Sequence, residues 1–205
     1  MSGPGRLIAL EGIDGCGKST QARRLAERLG ALLTFEPGDT ELGRSLRTLV
    51  LHAEGPGPVP RAEALLMAAD RAQHVEQVLR PALEAGRWVV TDRYSGSTLA
   101  YQGWGRGLEL EGLVALVGWA AGGLAADLSV LVDVDPAEAR RRLHAATPDR
   151  LEGLDPAFHD RVRQGFAAQA AAEPGRWAVV DGGGPVDQVA EAVLAAVAER
   201  LGPLP

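Results

Sequence analysis

Residues 12–20 read Gly-Ile-Asp-Gly-Cys-Gly-Lys-Ser-Thr and satisfy the pattern G-x-x-x-x-G-K-S/T. Few short stretches constrain a chain so tightly. The glycines let successive backbone N–H groups turn toward one anion, and a helix that starts at the lysine adds the positive end of its dipole. This arrangement needs a strand feeding the loop and a helix leaving it. Residues 6–11, Arg-Leu-Ile-Ala-Leu-Glu, are a short apolar run that reads as a buried strand. Ala22, Leu25, Ala26 and Leu29 follow at helical spacing. The expected phosphate contacts are Gly12, Ile13, Asp14, Gly15, Cys16, Gly17, Lys18, Ser19 and Thr20. Lys18 would reach the terminal phosphates, and the Ser19 hydroxyl would take a magnesium ion.

Composition supports this reading. Of 21 Lys plus Arg, Lys18 is the only lysine. Lysine is thus spared for the position that needs a compact charge on a flexible stem. A net charge of −6 argues against wholesale nucleic-acid binding, so local arginine clusters should meet local anions. The single cysteine, Cys16, rules out an internal disulfide and suits a reducing cytoplasm. No signal peptide and no membrane span are expected, because no run of about 18 apolar residues occurs.

Apolar runs at residues 7–11, 31–35, 87–92, 127–134 and 177–181 read as strands, and helical patterns lie between them. The alternation predicts one α/β domain over residues 1–205: a doubly wound parallel sheet of about five strands between helical layers. Pro81 should kink or break the helical pattern over residues 61–85, and residues 103–107 should form a flexible turn. On residues 42–52, Leu42, Leu46, Leu49 and Val50 should share the packed side.

Ligands of open parallel sheets lie beyond the carboxyl ends of the strands, so strand-ending polar residues draw attention. Asp92-Arg93 ends the third strand. Asp92 could hold the magnesium shell, and Arg93 could clamp a second phosphate. Arg140, Arg141 and Arg142 are consecutive and cannot all face one way. Arg150 lies in a broken segment and is the better candidate for an arginine-bearing lid over about residues 144–155. The histidines at 52, 74, 144 and 159 show no metal-ligand spacing and read as solvent-facing or helix-packing.

With these residues in place, the chain resembles the bacterial thymidylate kinases among the nucleoside monophosphate kinases. The resemblance runs through residues 10–20, Glu36-Pro37-Gly38, residues 65–74, Asp92-Arg93-Tyr94, Ser97, Thr98, residues 100–102, 149–152 and 158–163. It implies transfer of the ATP γ-phosphoryl to dTMP with magnesium, and a homodimer. It implies that Asp14 contacts the acceptor sugar or the metal shell, Arg71 the thymine edge and Arg93 the acceptor phosphate. Thr98 and Gln102 would line the base pocket beside Phe35, Glu36, Met67 and Ser97. Tyr101 would crowd the sugar 2′ position, and Arg150 would be the lid arginine. Ser97, Thr98 and Tyr101 share a face by helical spacing. Phe35 stands where the family usually has arginine, and Met67 where it usually has phenylalanine. A kinase for another nucleoside monophosphate is therefore the alternative reading. A GTP-dependent switch lacks its guanine-reading motif, since the chain has no asparagine. An inactive nucleotide-binding protein is disfavoured by the intact Lys18, Ser19, Asp92, Arg93 and Arg150.

Overall fold

A computed structural model of the chain describes residues 5–53, 55–143 and 149–205. These form one parallel five-stranded sheet in the order β2-β3-β1-β4-β5. The strands are β1 (Leu7–Glu11), β2 (Leu32–Phe35), β3 (Val89–Asp92), β4 (Leu128–Asp133) and β5 (Trp177–Asp181). Central β1 is buried at every position, as a strand covered on both faces must be. Edge strand β5 alternates at its end, with Val179 and Asp181 exposed around buried Val180.

Helices α1 (Lys18–Leu29), α2 (Glu41–Leu51), α3 (Pro60–His74), α4 (Arg80–Glu84), α5 (Ser95–Thr98), α6 (Leu110–Ala120), α7 (Pro136–Leu143), α8 (Pro156–Ala172) and α9 (Val186–Leu201) flank the sheet. The chain leaves β1 toward β2 and leaves β4 toward β5, so the crossovers diverge beside β1. Such a divergence opens a crevice at the carboxyl ends of the strands. The glycine loop occupies it.

Local chemistry departs from the simple patterns in three places. Pro81 does not break the helix. The residues before it, Val75–Leu79, are wound as π-helix, and the chain continues into α4. Proline has no N–H to donate to the turn behind it, and a wider turn accommodates that loss. The expected turn at residues 103–107 is instead largely helical, as π-helix spans Leu99–Gly105. Its glycines serve close packing. A Cβ on Gly103 would sit 2.5 Å from Leu110, and one on Gly105 2.6 Å from Phe158. On α2 the buried positions are Gly43, Leu46, Val50 and Leu51, while Leu42 and Leu49 are exposed.

Candidate active site

The glycine loop connects β1 to α1. Gly15 has φ +81°, and a Cβ there would lie 2.2 Å from the Ala139 carbonyl oxygen, so the loop's path against α7 demands glycine. Gly17, at φ 95°, caps α1. Lys18 is buried, and its Nζ donates to the Ile13 carbonyl (3.3 Å) and to Asp14 Oδ1 (3.4 Å). Cys16 is buried, and burial pushes its thiol pKa up.

Arg93 follows β3 with φ 73°, the one non-glycine residue with positive φ among the described residues. Such a backbone costs on the order of 1–2 kcal/mol and has to be held by its surroundings. The side chain supplies the hold. It pairs with Asp14, and it donates from Nη1 to the Gly12 carbonyl (3.1 Å) and Ser97 Oγ (3.0 Å) and from Nη2 to the Tyr101 hydroxyl (3.0 Å). The Tyr101 hydroxyl in turn donates to Asp14 Oδ2 (2.6 Å). Burial pushes the Asp14 carboxyl up, but the Arg93 and Lys18 charges outweigh it and hold the group well below the usual range. Lys18, Asp14 and Arg93, with the Tyr101 hydroxyl, thus form one hydrogen-bonded cluster joining the phosphate loop to β3.

Glu11, at the end of β1, anchors the next turn. Its Oε1 accepts from the Tyr94 (3.1 Å) and Ser97 (3.2 Å) amides, and its Oε2 from Ser97 Oγ (2.6 Å). A buried carboxylate at the first turn of α5 satisfies that turn's free N–H groups.

Beside this cluster lies a polar wall. Arg71 is buried and donates from Nε to Glu36 Oε2 (3.0 Å), from Nη1 to Thr98 Oγ1 (3.0 Å) and from Nη2 to the Tyr94 carbonyl (3.0 Å). His74 Nδ1 lies 2.9 Å from Glu36 Oε1, and its Nε2 2.6 Å from Thr34 Oγ1. Burial raises the Glu36 carboxyl pKa, yet Arg71 and His74 together bring it below the ordinary value. Asp70 accepts from the Gly38 amide (3.0 Å), and burial followed by the Glu36 charge pushes its pKa up to about 6.

These groups border one cleft of about 270 Å³. Asp14, Lys18 and Ser19 line it from the loop, and Asp92 and Arg93 from β3. Phe35 and Glu36 line it from β2, Met67 and Arg71 from α3, and Ser97, Thr98, Tyr101 and Gln102 from the helical turns after β3. Every expected acceptor-site residue therefore lies on the same cavity. Arg150 is the exception among the named side chains. It pairs with Glu63, and its Nε donates to the Val50 carbonyl (2.8 Å), while its neighbours Asp149, Leu151 and Glu152 line the cleft. Residues 144–148 of the expected lid lie outside the described residues. Arg141 and Arg142 pair with Glu138 on their own helix, as surface side chains do.

Several participants were not expected from the sequence. Arg47 of α2 lines the cleft and donates from Nη1 to the Pro37 carbonyl (2.8 Å). It brings a cation to the side of the cleft where Phe35 brings none. Glu11, Glu63 and His74 are polar groups buried behind the site, and the buried Asp70 lines the cleft itself. His74 is thus a site-supporting residue, while His159 packs edge-on against Phe158 at 5.4 Å and His52 faces solvent. His144 lies outside the described residues. Polar residues on buried helical positions were the available signal, but burial itself is visible only after folding.

Asp92 Oδ1 is buried and has no hydrogen-bond partner among the described residues. A buried carboxylate oxygen is rarely left unsatisfied without a reason. Ser19 lines the same cleft, and no cluster of three or more His, Cys, Asp or Glu able to hold a metal occurs among the described residues. One carboxylate and one hydroxyl are the donor set of a magnesium ion that keeps its waters and takes its other ligands from phosphate oxygens. The residues present fit that ion.

A lysine-bearing glycine loop at the sheet switch point, with arginines and a polar wall sharing its cleft, defines a P-loop phosphotransferase that handles two phosphorylated ligands together. Comparison with known proteins narrows the class. The thymidylate kinase family model matches residues 10–193. A thymidylate kinase of Clavibacter sepedonicus is 52% identical over 198 residues, covering 93% of each chain. One of Cereibacter sphaeroides is 47% identical over 216 residues, covering 100% of each. The crystal structure of thymidylate kinase from Ehrlichia chaffeensis superposes with a TM-score of 0.78 at 31% identity, covering 95% of this chain and 99% of the other. The chain belongs to the thymidylate kinase family. No helix among the described residues is long and apolar enough to cross a membrane.

Proposed function

We propose that the chain transfers the γ-phosphoryl group of ATP to the 5′-phosphate of dTMP, yielding dTDP and ADP. The observation that carries this reading is the pairing of both Lys18 and Arg93 with Asp14 Oδ1, in the cleft that Arg71 and Gln102 also line. One cation serves the donor phosphates and the other the acceptor phosphate. The base meets the polar wall.

The loop N–H groups of residues 12–20 and Lys18 hold the donor's terminal phosphates. Arg93 and Arg47 hold the acceptor phosphate. Arg71, Thr98 and Gln102 meet the base edge, and Phe35 and Met67 cover its faces. Methionine can cover a ring, though it is softer than the phenylalanine usual there. Tyr101, fixed by Asp14 and Arg93, occupies the space a 2′-hydroxyl would need, while Asp14, Glu36 and Ser97 fix the cations around the acceptor. An oxygen of the acceptor phosphate attacks the γ-phosphorus, the bond to the β–γ bridging oxygen breaks, and ADP leaves. The acceptor is already anionic near neutral pH, so no side chain has to abstract a proton. Positioning and charge stabilisation do the work. Ser19 and Asp92 would hold magnesium, which would supply positive charge to offset that of the donor phosphates. Arg150 would leave Glu63 and cover the transferring group as the lid of a single kinase domain.

Trp119 is 82% exposed on α6, and Leu110 and Val114 of α6 and Leu65 of α3 are exposed as well. These uncovered apolar side chains support a homodimer. ATP as the donor and the buried, unpaired Cys16 support a cytoplasmic setting.

The test is ADP release from ATP and magnesium with dTMP, dUMP, UMP, dCMP and dGMP offered separately. A strong preference for dTMP is expected. Equal use of several acceptors, or of another one alone, would mean that Phe35 and Met67 have rebuilt the pocket for a different nucleotide. An absence of acceptor-dependent release would overturn the kinase reading.

A further inference from the structure

Glu63 is wholly buried on α3, one turn before Met67, and it does not line the cleft. Its carboxylate is saturated. Oε1 accepts from Gln102 Nε2 (2.8 Å) and Arg106 Nε (3.2 Å). Oε2 accepts from Arg106 Nη2 (2.9 Å) and from Arg150. Burial raises its pKa, but the bonds from Arg106, Gln102 and Arg150 together bring it below the ordinary value, so it is an ionised acceptor.

An ionised carboxylate can only accept, so Gln102 must turn its amide nitrogen toward Glu63. What the amide then offers the cleft is its carbonyl oxygen. A glutamine left to itself could present either group, and the two choices select opposite bases. A carbonyl oxygen accepts from the N3–H of thymine or uracil. It faces the N3 lone pair of cytosine with a second lone pair.

We infer that Glu63 is a positioning residue for base selection: by fixing the amide of Gln102 with its oxygen toward the cleft, it makes the site select pyrimidines that carry a hydrogen on N3. This rests on the assignment of the acceptor as dTMP and adds the residue that determines which face of the amide is read. Arg106 keeps Glu63 in register through both oxygens and is itself seated 5.2 Å above the Phe158 ring.

The test is Glu63→Gln, with kcat and KM measured for dTMP, dUMP and dCMP. Oε2 takes the shorter of the two Arg106 bonds as well as the Arg150 bond, so the new amide keeps oxygen there and places its nitrogen at the Oε1 position, against Gln102 and Arg106 Nε. Gln102 must then rotate and offer its nitrogen to the cleft. The dTMP-to-dCMP ratio of kcat/KM should fall at least tenfold, chiefly through a higher KM for dTMP. The dTMP-to-dUMP ratio should stay as in the wild type, because both bases carry N3–H. A merely structural role would lower all three substrates alike and leave both ratios unchanged, which overturns the inference. Should the variant not fold, the wild type supplies the second reading. The side-chain amide of Gln102, assigned by its loss in Gln102→Leu, should show one slowly exchanging, downfield Nε2 proton both with and without dTMP. Exchange at the solvent rate, or transfer of that bond on adding dTMP, overturns the inference. A wild type that does not phosphorylate dTMP fails the functional reading instead, whereas a dTMP-selective wild type with unchanged ratios in Glu63→Gln fails this inference alone.

Discussion

Arg93 shows how single residues are bound to the reaction. Its strained backbone is tolerated because Asp14, Gly12, Ser97 and Tyr101 all hold its guanidinium. A preformed cation of this kind loses little freedom when it meets a phosphate. Lys18 is held more lightly, by longer contacts to Ile13 and Asp14, and can shift onto an anion. Lys18→Ala should lower kcat on the order of 10²–10³-fold, with a thermal midpoint close to that of the wild type. Near-normal turnover would remove the phosphate-loop mechanism. Asp70 predicts a pH dependence. Its folded pKa of about 6 lies above the 3.8 of an ordinary aspartate, so between these values the folded state binds a proton that the unfolded state does not. This group therefore adds stability as pH falls from about 6 toward 4 and costs most above 6. Asp70→Asn should gain on the order of 2–3 kcal/mol relative to wild type between pH 4 and 7 in urea unfolding. A pH-independent difference would show that Asp70 titrates normally.

Elements bring these residues together. The third strand and the turn after it supply Asp92, Arg93, Ser97, Thr98, Tyr101 and Gln102, and π winding from Leu99 carries the last two to the cleft. The helical face expected from spacing was correct in membership, although its winding was not legible. Helix α2 is the contrary case. Its apolar stripe was read without regard to Arg47, an apparent surface residue, yet the helix lies so that Arg47 reaches over Pro37 into the cleft. Arg47→Ala should raise the KM for dTMP about tenfold and leave the KM for ATP nearly unchanged, since the lost cation faces the acceptor side. Equal loss for both nucleotides in steady-state kinetics would place its role elsewhere.

At the scale of the whole molecule, the sheet order puts the glycine loop between diverging crossovers, and the exposed face around Trp119 is left for another surface. For the proposed homodimer, Trp119→Asp should shift sedimentation from dimer to monomer, and an unchanged dimer would move the interface to another face. The sequence by itself determined the alternating α/β architecture and the phosphate loop, because these follow from short-range patterns: apolar periodicity, glycine positions and one lysine; the cleft residues Arg71, Thr98 and Gln102 came from the resemblance to a family and not from any such pattern. Only the tertiary structure decided that Arg150 rests on Glu63, that Arg47 turns inward, and that Glu11, His74 and Asp70 are buried supports of the site. Partners far apart in the chain are chosen by how helices pack on a sheet. The Glu63–Arg150 pair, for example, joins α3 to the segment before α8, and no local pattern contains that contact.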